Sequence, residues 1–157
     1  MKYFITLSIT FLATIQILSQ TCSTTALTVL DQTVKETSGL IFFDGKLVTH
    51  NDSGDNPNLY EIDTISGAVT RTVSIANATN VDWEDITQDD DYIYVGDFGN
   101  NNGNRGDLII YKIAKADFNS QTSVTADSIL IQYAAQTNFT SQPNANNYDC
   151  EAMISFN

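Results

Sequence analysis

Short runs of β-branched and aromatic residues, separated by Gly, Asp and Asn, form the main pattern along the chain from residue 36 onward. Runs of this kind predict β-strands, and the apolar residues show little helical spacing. The pair Asp44-Gly45 separates two such runs and is typical of a tight hairpin turn. The pattern therefore predicts an antiparallel meander of four strands. These are Ser38–Phe43, Lys46–His50, Leu59–Asp63 and Ala68–Ile75.

The same order of strands returns in the second half of the chain. The second group of strands is predicted at Asp85–Thr87, Tyr92–Gly96, Leu108–Ile113 and Ser128–Tyr133. A connection through Asp117 to Ala126 joins the last two of them. At Tyr148 the pattern starts a third time, where Asp149-Cys150-Glu151 repeats Asp82-Trp83-Glu84. Three of the four glutamates, Glu36, Glu84 and Glu151, therefore recur at one phase of a repeat.

A four-stranded meander that repeats every ~40–50 residues is typical of a β-propeller blade. We expect an all-β fold, an incomplete propeller with blade 1 at residues 36–81, blade 2 at residues 82–147 and the start of blade 3 at residues 148–157. Residues 20–35 form a leader, in which Ala26–Leu30 is a candidate ring-closing strand. Propellers close with about four to eight blades, so the remaining blades are expected from a longer chain.

The beginning of the chain predicts export. Lys2 precedes a mostly apolar run from Tyr3 to Leu18, and small or polar residues follow it, which is typical of a secretory signal peptide at residues 1–19. A lipoprotein signal at Cys22 is the alternative. The run is short for a membrane span, and no later segment is apolar enough to be one. We therefore expect a secreted or cell-surface protein.

The charge of the chain limits its partners. Acidic residues number 19 against 7 basic ones, which gives a net charge of −12. This charge repels nucleic acid and anionic lipid and suits a divalent cation. Fifteen Asp and fifteen Asn residues favour turns and loops. Cys22 and Cys150 could pair in an exported protein, but two separate thiols are equally compatible with the sequence.

Four segments resemble one group of known propellers. These are ETSGLIFFDGKLVTHNDSG, DWEDITQDDDYIYVGDFGNN, NRGDLIIYKI and YDCEAMI. They resemble blades of secreted bacterial propellers in the phytase-like, calcium-dependent phosphotriesterase-like and NHL-like group, and in particular exported proteins that carry a sorting domain for type IX secretion. The resemblance covers residues 35–157. It implies a propeller fold and, for hydrolytic members, calcium-dependent chemistry.

Five acidic residues are predicted to lie around one mouth of the propeller channel. Residues just before the first strand of a blade and just after the second emerge on the same face. Glu36, Glu84 and Glu151 hold the first position, and Asp52 and Asp97 hold the second. Calcium suits such a ring because it takes about six to eight oxygen ligands. The alternatives are backbone clamps between blades for the glutamates and turn capping for the two aspartates.

His50 is the only histidine and lies at the end of a predicted strand. It is a candidate general base beside a cation-bound water, with a structural hydrogen-bonding role as the alternative. Three functions follow from the whole sequence. The first is an extracellular binding or scaffold module for a small molecule or a surface polymer. The second is a calcium-dependent phosphoesterase or lactonase, and the third is an adhesion or surface-display segment. The sequence leaves open whether the protein is an enzyme.

Overall fold

The computed structural model describes residue 26, residues 28–143 and residues 145–156. The predicted signal peptide and Cys22 lie outside these residues. A 3-10 turn at Gln32–Val34 precedes the first strand, and helix α1 (Lys115–Ser120) follows the seventh. The strands are β1 (Thr37–Phe43), β2 (Lys46–Asn51), β3 (Asn58–Ile62), β4 (Val69–Ile75), β5 (Trp83–Gln88), β6 (Tyr92–Asp97), β7 (Leu108–Ala114), β8 (Ser123–Val124) and β9 (Asp127–Ile131). The expectation of an all-β fold is confirmed.

Sheet 1 has the strand order β1-β2-β3-β4-β8. Its first four strands form the predicted antiparallel meander. Asp44 and Gly45 both have positive φ angles, 49° and 77°, as a two-residue hairpin turn of the mirror-image type requires. The two residues of β8 pair in parallel with the end of β4, a contact that the strand pattern does not predict.

Sheet 2 has the order β5-β6-β7-β9 and is antiparallel throughout. The predicted connection between its last two strands contains helix α1 and strand β8. Sheet 1 anchors helix α1, because Nη1 of Arg71 in β4 donates to the carbonyl oxygens of Phe118 (2.6 Å) and Gln121 (2.9 Å). The second half of the chain therefore contributes to both sheets.

One face of each sheet contributes to a shared apolar core. A fully buried aliphatic or aromatic side chain stabilises the fold by about 1.5–3 kcal/mol. The first strands of the two sheets also lie side by side, since Ser38 Oγ donates to the Glu84 carbonyl (2.9 Å) and Gln88 Nε2 donates to the Phe42 carbonyl (2.8 Å). The core residues include Ile41, Val48, Leu59, Val73 and Ile75 of sheet 1 and Trp83, Ile86, Ile93, Val95, Tyr111 and Ile113 of sheet 2.

The register of the two hairpins shows which positions correspond. Thr37 pairs with Asn51 in sheet 1, and Trp83 pairs with Asp97 in sheet 2. The next pairs in each ladder keep this correspondence. Under this correspondence, Ser38 in β1 is equivalent to Glu84 in β5. The predicted equivalence of Glu36 and Glu84 is therefore wrong by two residues, because Glu36 precedes β1 whereas Glu84 is the second residue of β5.

The last described residues run beside β5 without forming a regular strand. The backbone N–H of Met153 donates to Asp85 Oδ2 (2.7 Å), and that of Ser155 donates to Thr87 Oγ1 (3.3 Å). The described residues of Ala26–Leu30 are also outside any strand, and neither sheet closes on itself. Of the helices within the described part of the chain, none has the length and apolar character that crossing a membrane requires.

Candidate metal centre

Glu84 is a carboxylate held at the start of β5, where the chain has just entered sheet 2. Asp82 immediately precedes β5, and Glu84 lies at a β-bulge, where the pairing of β5 with β6 shifts between Trp83 and Asp85. Trp83 is fully buried in the core and donates its Nε1–H to the Thr79 carbonyl (3.0 Å). The packing of Trp83 thus fixes the backbone between the two neighbouring carboxylates.

Two groups of three carboxylates meet at Glu84. In the first group, oxygens of Asp52, Asp82 and Glu84 all lie within 4.8 Å of one another. In the second group, the same holds for Glu84, Asp149 and Glu151. Asp52 follows β2, and Asp149 and Glu151 belong to the last described segment. Glu84 therefore joins acidic residues from three separate parts of the chain.

The backbone of Gly99 forms one wall of this cluster. A Cβ atom at this position would lie closer than 3.0 Å to Glu84 Oε1 and to Asp82 Oδ2. The loop is fixed there because the Gly99 N–H donates to the Asp82 carbonyl (3.1 Å) and Arg105 Nη1 donates to the Gly99 carbonyl (2.9 Å). Only a residue without a side chain leaves this space to the carboxylates.

The electrostatics of the cluster disfavour its full ionisation. Burial raises the pKa of Glu84 from 4.5 to about 8, with further contributions from the nearby Glu151, Asp82 and Asp52. Burial and the charge of Asp52 raise the pKa of Asp82. Burial and the charge of Asp149 raise the pKa of Glu151. Like charges crowded in this way are relieved by a proton or by a cation.

Glu84 differs from the other two buried acidic residues of the described chain. Glu61 is 4% exposed and binds Lys46 (2.8 Å) and Arg71 (2.5 Å). Asp97 is 1% exposed and binds Nη1 of Arg105 (2.9 Å). Glu84 is 8% exposed, and among the described residues no Lys or Arg pairs with it. A buried ionised carboxylate without a cationic partner is unfavourable unless a proton or another positive group neutralises it.

Asp97, a predicted metal ligand, supports the cluster from behind. Its Oδ1 accepts the backbone N–H of Asp82 (3.0 Å), and its charge is paired with Arg105. Burial raises the pKa of Asp97, while Arg105 acts in the opposite direction. Asp97 belongs to neither group of convergent carboxylates. Its geometry is that of a residue that positions Asp82.

Glu36, another predicted ligand, is exposed, and its carboxylate is in neither convergent group. Its backbone carbonyl accepts the N–H of Asp52 (2.9 Å), so Glu36 helps to hold the loop that carries Asp52. The sequence prediction omitted Asp82 and Asp149. The signal for both is the repeated Asp-x-Glu tripeptide, which contributes its first and third carboxylates to the convergent groups in both copies.

His50, the predicted general base, is fully buried. Its Nδ1 lies 2.9 Å from the Asn51 carbonyl, and its ring packs edge-on against Trp83, with 5.7 Å between ring centroids. Burial lowers the pKa of His50, so the ring is neutral at physiological pH. Its Nε2 has no hydrogen-bonding partner within the described chain. No ring nitrogen of His50 reaches solvent, where a substrate would bind.

The donors of the cluster are those of a hard divalent cation. Asp52, Asp82, Glu84, Asp149 and Glu151 provide only carboxylate oxygens, which calcium and magnesium prefer. Calcium tolerates the irregular arrangement of such ligands, whereas magnesium demands near-octahedral geometry. The space beside Gly99 suits a bound cation, and so does the absence of a Lys or Arg partner for Glu84 among the described residues. The chain matches no protein-family profile, no curated protein and no solved structure.

Proposed function

We propose that this chain is the calcium-binding part of an extracellular β-propeller that serves as a binding or scaffold module. The observation that carries the calcium proposal is the state of the three buried acidic residues. Arg and Lys side chains neutralise Glu61 and Asp97, while Glu84 is surrounded by further carboxylates. A divalent cation would neutralise the cluster and satisfy the carboxylate oxygens together.

Several features support a propeller as the fold that displays this site. Both sheets begin with meanders in the same register, and β1 lies beside β5. The segment at residues 150–156 runs along the other side of β5. Leu40 and Phe42 on the outer face of sheet 1, and Ile129 on that of sheet 2, are exposed. Further sheets packed on these faces would bury the exposed apolar side chains, as the shared core buries the faces of sheets 1 and 2 that meet each other.

The acidic cluster also limits what the module would bind. A bound calcium ion can accept oxygen atoms of a ligand in the positions that the protein leaves free. We therefore favour an oxygen-rich small molecule or surface polymer, reached after export by the predicted signal peptide. The hydrolase alternative has less support, because His50 is buried and the described residues offer no other histidine.

Calorimetric titration of the purified chain with calcium chloride tests the site. Wild-type protein is expected to bind calcium, and Glu84→Gln is expected to lose most of the affinity because Glu84 belongs to both groups. Glu36→Gln is the matched control, since it removes an exposed glutamate whose carboxylate belongs to neither group. Absence of binding heat and of a change in melting temperature at millimolar calcium would reject the proposal.

A further inference from the structure

An elongated apolar groove separates the segment at residues 150–156 from the outer face of sheet 2, the face turned away from sheet 1. One part of it has a volume of about 280 Å³, and its lining includes Ile129 and Met153. A second cavity of about 250 Å³ is lined by Ile131 and Cys150, among others. Ile129 and Ile131 lie on one face of β9, because side chains two residues apart in a strand point to the same side. The two cavities therefore follow one another along the segment.

The lining of the groove corresponds, position by position, to side chains that the shared core buries. The registers of the two sheets define the equivalent residues. The pairs, with sheet 2 first, are Tyr94 and Val48, Ile110 and Leu59, and Ile129 and Val73. The three sheet 1 residues are fully buried in the core that sheet 2 completes, whereas Ile129 is 43% exposed. The outer face of sheet 2 therefore has the residue pattern of a face that other strands cover.

The segment contacts β5 in the way that β5 contacts β1. In one contact Gln88 Nε2 of β5 donates to the Phe42 carbonyl of β1, and in the other Ser155 Oγ donates to the Gln88 carbonyl. Gln88 lies six residues after Asp82, and Ser155 lies six residues after Asp149, so the two donors hold one position in the repeat. The segment therefore corresponds to a first strand. Within the described part of the chain, no strand pairs with it as β6 pairs with β5.

The backbone of the segment has a free edge. The N–H groups of Met153 and Ser155 face β5, because they donate to Asp85 Oδ2 (2.7 Å) and Thr87 Oγ1 (3.3 Å). The N–H and carbonyl of Ile154, between them, point the other way in an extended chain and bind no other described residue. Unpaired backbone groups along an extended segment form a template for a further strand.

The shape and chemistry of the groove favour a polypeptide over a small molecule. A strand supplies main-chain donors and acceptors to the free edge and places alternate side chains along an elongated groove. In the equivalent position of sheet 2, β6 contributes Ile93 and Val95 to the shared core. Asp89 is in the lining and Glu151 is in the segment, so basic residues beside the apolar ones are favoured by charge.

We propose that this groove binds an extended strand donated by a separate polypeptide. The donated strand takes the position that β6 has in sheet 2. It pairs antiparallel with residues 152–155 and presents alternate apolar side chains to Ile110 and Ile129, which is recognition by β-strand addition. The inference goes beyond the proposed function, because neither calcium nor the carboxylate cluster takes part in it. It assigns the chain a polypeptide partner and the surface that receives it.

Fluorescence anisotropy of a labelled synthetic peptide, titrated with the purified full chain, tests the proposal. The probe is a capped peptide with the sequence of residues 91–97, which contains β6, carrying Asp91→Lys and Asp97→Lys to complement the acidic groups. It is expected to bind. Ile129→Asp in the protein is expected to weaken binding at least about tenfold, because the strand would bury the new charge. Leu130→Asp is the matched control, since Leu130 is 76% exposed and follows Ile129 on the opposite face of β9.

A second peptide tests which side chains enter the groove. It also carries Ile93→Thr and Val95→Thr, and it is expected to bind at least about tenfold more weakly because it buries less apolar surface. Absence of binding of the first peptide at millimolar concentration would overturn the proposal, and so would equal affinities of the two peptides. If Ile129→Asp fails to fold, as Trp83 fluorescence would show, the comparison of the two peptides still decides the question.

Sedimentation of the same samples separates a donated strand from a second copy of the chain. A dimer that Ile129→Asp dissociates, and that the first peptide leaves intact, would assign the groove to a second copy and overturn the proposal. Equal peptide affinity of wild type and Ile129→Asp would place the binding elsewhere on the molecule and overturn it as well. Tighter binding to wild type and Leu130→Asp than to Ile129→Asp is the result that supports it.

Discussion

Gly99 and Glu84 lie so close together that a methyl group on Gly99 would stand inside 3.0 Å of Glu84 Oε1. Arg105 and Asp82 hold the Gly99 backbone by hydrogen bonds, so the loop cannot retreat without breaking them. The absence of a side chain at residue 99 therefore sets the room available to the carboxylate cluster.

Gly99→Ala is expected to weaken calcium binding by at least about tenfold, or about 1.4 kcal/mol. The added methyl group displaces the Glu84 and Asp82 carboxylates from the positions that the two groups share. Calorimetric titration with calcium measures the effect. Gly106→Ala is the matched control, because the nearest atoms that its added methyl group would meet belong to the Phe139 ring, at 3.0 Å, and not to a carboxylate. Wild-type affinity in Gly99→Ala would contradict the assigned position of the ion.

Without calcium, the free energy of unfolding is expected to fall between pH 6.5 and pH 8. Burial, with Glu151 and Asp82 nearby, raises the pKa of Glu84 from 4.5 to about 8, so in this window the folded chain holds a proton that the unfolded chain has released. Stability is therefore lost as pH rises toward 8. Burial lowers the pKa of His50 from 6.5, and that opposite effect acts mainly below pH 6.5 and fades as pH rises through the window.

Urea unfolding in EGTA at pH 6.5 and pH 8 measures this decrease, and Glu84→Gln should remove most of it. Burial also raises the pKa values of Asp82, Asp97 and Glu151, and these shifts act in the same direction. A free energy of unfolding that stays constant or increases across the window would show that Glu84 is ionised in the folded chain.

Arg71→Met is expected to lower the free energy of unfolding by about 2–3 kcal/mol. The change leaves the buried Glu61 with Lys46 as its remaining partner and frees the Phe118 carbonyl that Arg71 binds. Arg71→Lys keeps the charge and is expected to lose less. Urea unfolding measures both variants. A loss below about 0.5 kcal/mol in Arg71→Met, the range of ordinary surface changes, would refute this role.

Asn80→Asp is expected to lower the free energy of unfolding by about 2 kcal/mol. Asn80 Nδ2 donates to the carbonyls of Asp52 (2.7 Å) and Asn51 (3.1 Å), and a carboxylate of the same shape cannot donate. Fluorescence of Trp83, the only tryptophan, follows unfolding directly because the ring is buried in the shared core. Asn104→Asp adds the same charge at an exposed position and should have little effect. Equal stability of the two variants would show that the hydrogen bonds from Asn80 to the Asn51 and Asp52 carbonyls contribute little to the stability of the fold.

Local patterns predicted most of the two sheets, because alternating runs and turn residues act over short distances. Asp44-Gly45 is the clearest case, since its positive φ angles follow from residue type. Helix α1 escaped prediction because Phe118 is its one buried residue, too little for a helical pattern. Strand β8 escaped because two residues carry no pattern, and its partner β4 is distant in sequence.

The candidate site was predicted in part, since repetition located the segments but not their register. Glu84, Glu151 and Asp52 lie in the convergent groups. Glu36 does not, because the recurrence of glutamates along the chain cannot reveal a two-residue difference in where the strands begin. Asp97 is in neither group, because its carboxylate forms an ion pair with Arg105, which only the folded loop brings near. Such pairings depend on tertiary contacts, which the sequence pattern does not encode.

The parallel pairing of β8 with β4 links the stability of the two sheets. Residues of the second half of the chain supply the edge of sheet 1, with Ser74 N–H bound to the Thr122 carbonyl (3.0 Å) and Ala76 N–H bound to the Val124 carbonyl (2.8 Å). Sheet 1 excised at its apparent boundary would expose the amides that these carbonyls cover. The two meanders should therefore melt in a single cooperative transition, and neither can be transplanted as an independent module.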